Sequence, residues 1–134
     1  MAITTTMLGD ELYRATNEQN HAATIDMRPA GEKEGLSPTE LLLSALAGCV
    51  GVDVVHMLKK RRKTITHFEI VTDGTRRDTP PRYFTHIHSL YRVTSPDVEP
   101  EELQKVTALA MEKYCSVGGS LKSELTFSVE VIRP

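Results

Sequence analysis

Cys49 and Cys115 are the two cysteines of the chain, and their neighbours differ sharply. Cys49 sits in the apolar run Leu41 to Val52, while Cys115 stands before Ser116-Val117-Gly118-Gly119. The opening residues MAITTTMLGD lack a basic stretch followed by an apolar one, so nothing suggests secretion, and a cytoplasmic setting keeps thiols reduced. A pair of cysteines there is more often reactive or metal-binding than structural. Inert packing stays open for Cys49, because free cysteine is among the most buried residue types. For metal, His86 and His88 alternate onto one strand face and His67 could lie across a hairpin. Neither cysteine is near them in sequence, however, and no C-x-x-C occurs. The expectation is therefore no metal and no cofactor. Asp53 and His56 follow Cys49 by four and seven residues and can share its helix face. They could bond to each other, and a carboxylate so placed would raise the thiol pKa.

The elements that must position these groups are legible from pattern. Ile3 to Met7, Glu11 to Thr16 and Ala22 to Met27 are short β-like pieces separated by Gly9-Asp10 and Asn17-Glu18-Gln19-Asn20, and they read as hairpins. Pro29 to Gly35 forms a polar loop of the kind that crosses a surface or closes over a site. Ser37-Pro38-Thr39-Glu40 then supplies an N-cap Ser, a Pro at the first helical position and a Glu three residues after the Ser, which is a capping box. The helix it opens is apolar nearly all round, so burial on every side is expected. One small chain can barely wrap such a helix, and a homodimer sharing the cover follows as an expectation. The uncharged run Leu41 to Val52 is shorter than the roughly 20 residues that cross a bilayer, so no membrane span is expected.

Lys59 to Lys63 closes the helix, where cations complement the negative end of its dipole. No aromatic interleaving accompanies this run, which favours a solvated helix end over a nucleic-acid patch. Ile65 to Asp73 and Tyr83 to Thr94 should pair across the breaker-rich loop Gly74 to Pro81. A second helix starts at Glu99-Pro100-Glu101-Glu102, with Leu103, Val106, Leu109, Ala110 and Tyr114 expected on its core face until Cys115 to Gly119 breaks it. Leu125, Phe127, Val129 and Val131 alternate with polar residues in a last, half-buried strand. The result is an α+β fold, and residues 1–134 read as a single domain. With 16 Lys+Arg against 18 Asp+Glu and a net charge of -2, the chain has no general attraction to nucleic acid. If both helices pack on one sheet, the two thiols can meet.

The segment Leu36-Ser37-Pro38-Thr39-Glu40-Leu41-Leu42-Leu43-Ser44-Ala45-Leu46-Ala47-Gly48-Cys49 resembles the one ending in the first cysteine of the OsmC/Ohr superfamily, the osmotically inducible and organic hydroperoxide resistance proteins. Met111-Glu112-Lys113-Tyr114-Cys115-Ser116-Val117 is similar to the segment carrying its second cysteine. The order of elements fits along nearly the whole chain, and the Gly-Cys ending of the first segment is nearer to the broad OsmC-like branch than to the Ohr branch. The resemblance implies an OsmC-like fold, N-terminal strands, a long buried central helix, β-hairpin, second helix and C-terminal strand, in an intertwined homodimer with active sites at the subunit interface. It also implies thiol-dependent reduction of a hydroperoxide substrate, with Cys49 peroxidatic, Cys115 resolving, and a dithiol or lipoyl-type reductant. A non-catalytic module on the same scaffold, binding a small ligand in the interface pocket or sensing redox state, is the alternative.

The implied chemistry requires a cation. At a thiol pKa of about 8.5, about 3% is ionised at pH 7. Lowering it by about two units gains roughly 25-fold in thiolate, but a Brønsted slope of about 0.4–0.5 takes back about 6- to 10-fold. The positive group must therefore also stabilise the departing oxygen. The better-studied branch places its Arg after a Gly pair, where this chain has Gly9-Asp10-Glu11, leaving Arg14 and Arg28 as candidates. Arg14 is favoured slightly because it lies on a strand, and a plain surface role remains open for it. That branch holds its Arg with a helix-start Glu, whose place here is Thr39, with Glu40 one residue closer to Cys49. Nine residues at about 100° each set Glu40 opposite Cys49 on an ideal helix, so Glu40 is either an Arg-holding group or simply the capping-box acid.

Overall fold

The structure, a computed structural model, describes residues 1–134. The chain is organised in two compact units, Met1–Leu42 and Leu43–Pro134. In the first, β1 (Thr4–Gly9), β2 (Leu12–Thr16) and β3 (Ala22–Asp26) form an antiparallel meander in the order β1-β2-β3. The first turn places Glu11 at φ 60. In the second, Asn17 Oδ1 accepts from the N–H groups of Gln19 and His21 at 3.0 and 2.9 Å, an Asx turn that leaves Asn20 at φ 65.

Helix α1 (Pro38–Lys60) starts where expected. Ser37 N–H donates to Glu40 Oε1 at 2.9 Å and Glu40 N–H to Ser37 Oγ at 3.3 Å, the reciprocal pair of a capping box. At its end Arg62 adopts φ 61 and Lys63 N–H reaches back to the Leu58 carbonyl at 3.0 Å, a Schellman-like closure built without glycine. The basic run is structural here. Arg61 and Lys63 both face Glu102 at 3.7 Å, and Lys63 Nζ donates to the Asp97 carbonyl at 3.0 Å.

The second unit contains β4 (His67–Arg76), β5 (Phe84–Thr94) and β6 (Glu124–Ile132) in the order β4-β5-β6. β4 and β5 form the expected antiparallel hairpin, whereas β6 runs parallel to β5. A parallel pair needs a crossover, supplied by α2 (Pro100–Leu109), a π-helical turn (Ala110–Tyr114) and the short α3 (Ser116–Gly119). The glycine pair does not break the chain into a loop, since it lies in α3 and neither glycine takes a positive φ. From Ile87 onward β5 alternates, with Ile87, Ser89, Tyr91 and Val93 buried.

Two expectations about helix faces are corrected. Within this chain α1 buries one stripe, Leu46, Val50, Val54 and Leu58, while Val52 remains 57% exposed. Spacing of four residues keeps that stripe on one side, so a single chain covers a single face of an all-apolar helix. Helix α1, at 23 residues, is long and apolar enough by length and composition to cross a bilayer. One stripe of it, Leu46, Val50, Val54 and Leu58, is fully buried within this chain. Along α2 and the π turn the core face is Leu103, Val106, Thr107, Ala110 and Met111. Leu109 (40% exposed) and Tyr114 (53%) fall off that stripe.

Candidate functional site

Cys115 owes its setting to the π turn. Its N–H donates to the Ala110 carbonyl at 2.9 Å, an i to i−5 bond that adds one residue to the last turn. Released from helical geometry at φ -73, ψ 104, Cys115 caps α3, and its Sγ accepts the Gly118 N–H at 3.2 Å. The thiol is buried. A methyl group built on Gly118 would sit 3.2 Å from Leu125 Cδ1, 3.5 Å from Cys115 Sγ and 3.6 Å from Leu46 Cδ1, which places the sulfur where α1, α3 and β6 converge. Burial pushes the Cys115 thiol pKa up, the neighbouring Cys49 side chain pushes it further, and the Gly118 N–H opposes both. Cys49 follows Leu46 by three residues on α1 and is half-buried. Both cysteines are free thiols, and the fold brings them together as their placement on two helices suggested.

Tyr91 belongs to the same cluster, and the sequence reading overlooked it. Its ring is fully buried between Phe68, with centroids 6.4 Å apart, and Phe127, at 6.3 Å and edge-on. The hydroxyl has no hydrogen-bond partner. Burial drives the phenol pKa up to about 12, and the charges of Cys115 and Cys49 act in the same direction, opposed by Ser89. Ser89 thus lies near enough to bias the phenol without making a bond of adequate geometry. The missed signal was available: a hydroxyl-bearing aromatic in the inward phase of the Ile87, Ser89, Tyr91, Val93 alternation.

The candidate arginines lie in the first unit and differ in what holds them. Arg14 is exposed on β2, opposite Thr6 and Thr24, and forms no ion pair. Arg28 is gripped by Asp26, with Nε donating to Oδ1 at 3.0 Å and Nη2 to Oδ2 at 2.8 Å. Asp26 is fully buried and also accepts the N–H groups of Arg28, Glu34 and Gly35, so the polar loop wraps around one carboxylate. The Arg28 guanidinium holds that carboxyl well below the usual carboxylate range against the opposing effect of burial. Sequence reasoning assigned Asp26 no role, although T-I-D-M-R-P places an acid two residues from Arg28. Glu40 accepts from Ser37 and faces Lys33 at 3.7 Å, and its pKa is lowered chiefly by the Ser37 N–H. The capping role expected for it is thus present.

Asp53 and His56 make no hydrogen bond to each other and instead line a cavity of about 340 Å³ with Met57, Lys60, Leu109 and Tyr114. His86 Nε2 and His88 Nδ1 both contact Thr126 Oγ1, at 2.6 and 2.8 Å, and His88 Nε2 contacts Ser128 Oγ at 3.1 Å. They are half-buried and engaged across β5 and β6. His67 faces Glu69 at 3.8 Å. No group of three His, Cys, Asp or Glu side chains is disposed to hold a metal ion.

Residues 31–130 match the OsmC-like protein family. Protein YhfA of Escherichia coli (strain K12) is 38% identical over 98 residues, covering 72% of this chain and 73% of that protein. Among solved structures, a hypothetical protein from Aquifex aeolicus VF5 superimposes with a TM-score of 0.86 at 29% identity, covering 99% of this chain and 96% of that one. An OsmC like protein from Mycoplasma pneumoniae gives 0.79 at 26% identity, covering 98% and 95%. A family match that spans both cysteine segments, on an α+β frame shared end to end with these structures, establishes that this chain belongs to the OsmC-like protein family.

Proposed function

We propose that the chain is a thiol-dependent reductase of organic hydroperoxides, with Cys49 peroxidatic and Cys115 resolving. The observation that carries this reading is the juxtaposition of two free thiols of unlike setting, one half-buried on α1 and one buried with its sulfur held by the Gly118 N–H. The half-buried thiol is the one a substrate reaches. Cys49 thiolate attacks the terminal peroxide oxygen, the O–O bond breaks, and the alkoxide leaves to be protonated as alcohol. Cys115 then attacks the Cys49 sulfenic sulfur, expelling its oxygen as water and forming a disulfide that blocks further oxidation. A dithiol or lipoyl-type reductant restores the pair by exchange. The chemistry asks for a cation at the departing oxygen, and Arg14 and Arg28 are the candidates for it.

The reading includes a cytoplasmic homodimer. Gly48, Gly51, Val52, Val55, Phe68 and Ile70 border an open apolar groove of about 370 Å³ beside α1, a surface that a second copy would cover. Turnover of cumene hydroperoxide with a dithiol reductant tests the assignment. Cys49→Ser should abolish it, and activity retained in that variant contradicts the mechanism and leaves the ligand-binding alternative.

A further inference from the structure

We propose that His86 and His88 form a two-nitrogen chelate site for a divalent ion of the zinc and copper class, on the face of the β4-β5-β6 sheet turned away from the thiols. The site is independent of the cysteines. His86 and His88 are separated by one residue on β5, the central strand of its sheet, so strand alternation sets both rings on one face. Ile87, between them, is buried on the opposite face, and its register partner Leu125 lies with it on the side of Cys115.

The two rings converge on one atom. His86 Nε2 and His88 Nδ1 stand 2.6 and 2.8 Å from Thr126 Oγ1, so the two nitrogens lie within two hydrogen-bond lengths of each other. Zinc takes each imidazole nitrogen at about 2.0–2.1 Å, which requires a chelating pair no more than about 4.2 Å apart. Rotation of either ring about its Cβ–Cγ bond, a broad torsion, sets that separation without moving the strand. Thr126 Oγ1 keeps the rings aimed inward, because one hydroxyl donates to one nitrogen while accepting from the other. His88 Nε2 contacts Ser128 Oγ at 3.1 Å. A partner on the far nitrogen is what fixes the orientation and tautomer of a ligating imidazole.

Charge on this face also favours a cation. Asp73 stands across from His88 on β4, and Glu124 across from His86 on β6. Both carboxylates are exposed, and neither is held by a hydrogen bond or an ion pair. Three ligand groups are not gathered around one point, so the ion is held by the two nitrogens, with water completing its shell and the carboxylates supplying negative charge. Imidazole donors suit zinc and copper, whereas magnesium and calcium prefer all-oxygen sites. Binding weakens on acidification, because both nitrogens must give up their protons to coordinate.

Titration of the reduced protein with zinc chloride, followed by ¹⁵N NMR of the histidine rings and by calorimetry, tests the site. Zinc should saturably shift the ring nitrogens of His86 and His88 and leave those of His21, His56 and His67 in place, and magnesium chloride should shift none. The same two shifts should persist in Cys49→Ser, which separates this site from any binding by the thiols. His86→Ala and His88→Ala should each weaken the calorimetric affinity at least about 10-fold, the low end of what even a group supporting a ligand contributes. Zinc should raise the thermal midpoint of wild type and not that of the double variant. Zinc that leaves both rings unshifted, or shifts that vanish in Cys49→Ser, overturn the proposal, and neither result needs a histidine variant to fold. Affinity unchanged in the double variant overturns it as well. A lowered urea midpoint in the histidine variants, with no response of wild type to zinc, contradicts it in favour of a purely structural role for the two rings.

Discussion

Asp26 is the residue on which the first unit turns. Five donors from three residues would be too many for a neutral side chain, but a carboxylate accepts them all: the N–H groups of Arg28, Glu34 and Gly35 and the Nε and Nη2 of Arg28. Its folded pKa is depressed below the usual 3.8, so the stability it contributes is complete above about pH 4 and is lost as pH falls below that. In Asp26→Asn the amide nitrogen would meet a donor already in place. The urea midpoint at pH 7 should drop, and the gap to wild type should narrow on acidification through pH 4. An unchanged gap would show that the carboxylate charge is not what holds the loop. At this scale the sequence exposed both cysteines, because thiols without a structural disulfide are conspicuous by type. Asp26 and Tyr91 were not visible, since what sets them apart is burial and the partners gained or lacked, and residue type records neither.

Among the elements, those governed by local chemistry were legible and those governed by packing were less so. The capping box of α1 and the β4–β5 hairpin follow from turn and cap residues at fixed offsets. The π turn before Cys115 has no such signature, and Tyr114 at its end falls off the core face. The parallel pairing of β6 was implicit in the intervening helix but not in the strand itself. Gly74 illustrates a packing constraint that composition hides. A Cβ there would collide with the Phe84 ring, and Phe84 is buried. Gly74→Ala should cost about 1–3 kcal/mol in urea unfolding. A neutral result would mean that the start of β5 is free to shift.

For the whole molecule, the unfilled requirement is cover for α1. The sequence pattern called for burial on every side, and this chain provides it for the Leu46, Val50, Val54, Leu58 stripe. Exposed apolar area of this extent on a helix is stabilised by a second copy in the proposed homodimer. Wild-type protein should elute in light-scattering chromatography at twice the 14.9 kDa chain mass. Val52→Glu, which sets a charge on the uncovered face, should shift it toward the single-chain mass. A wild-type monomer at micromolar concentration would contradict this arrangement. The central claim, however, concerns the thiols. Intact-mass spectrometry of wild type after one equivalent of cumene hydroperoxide reads it most directly: the account predicts prompt loss of about 2 Da per chain as the Cys49–Cys115 disulfide closes, and an unchanged mass would contradict it.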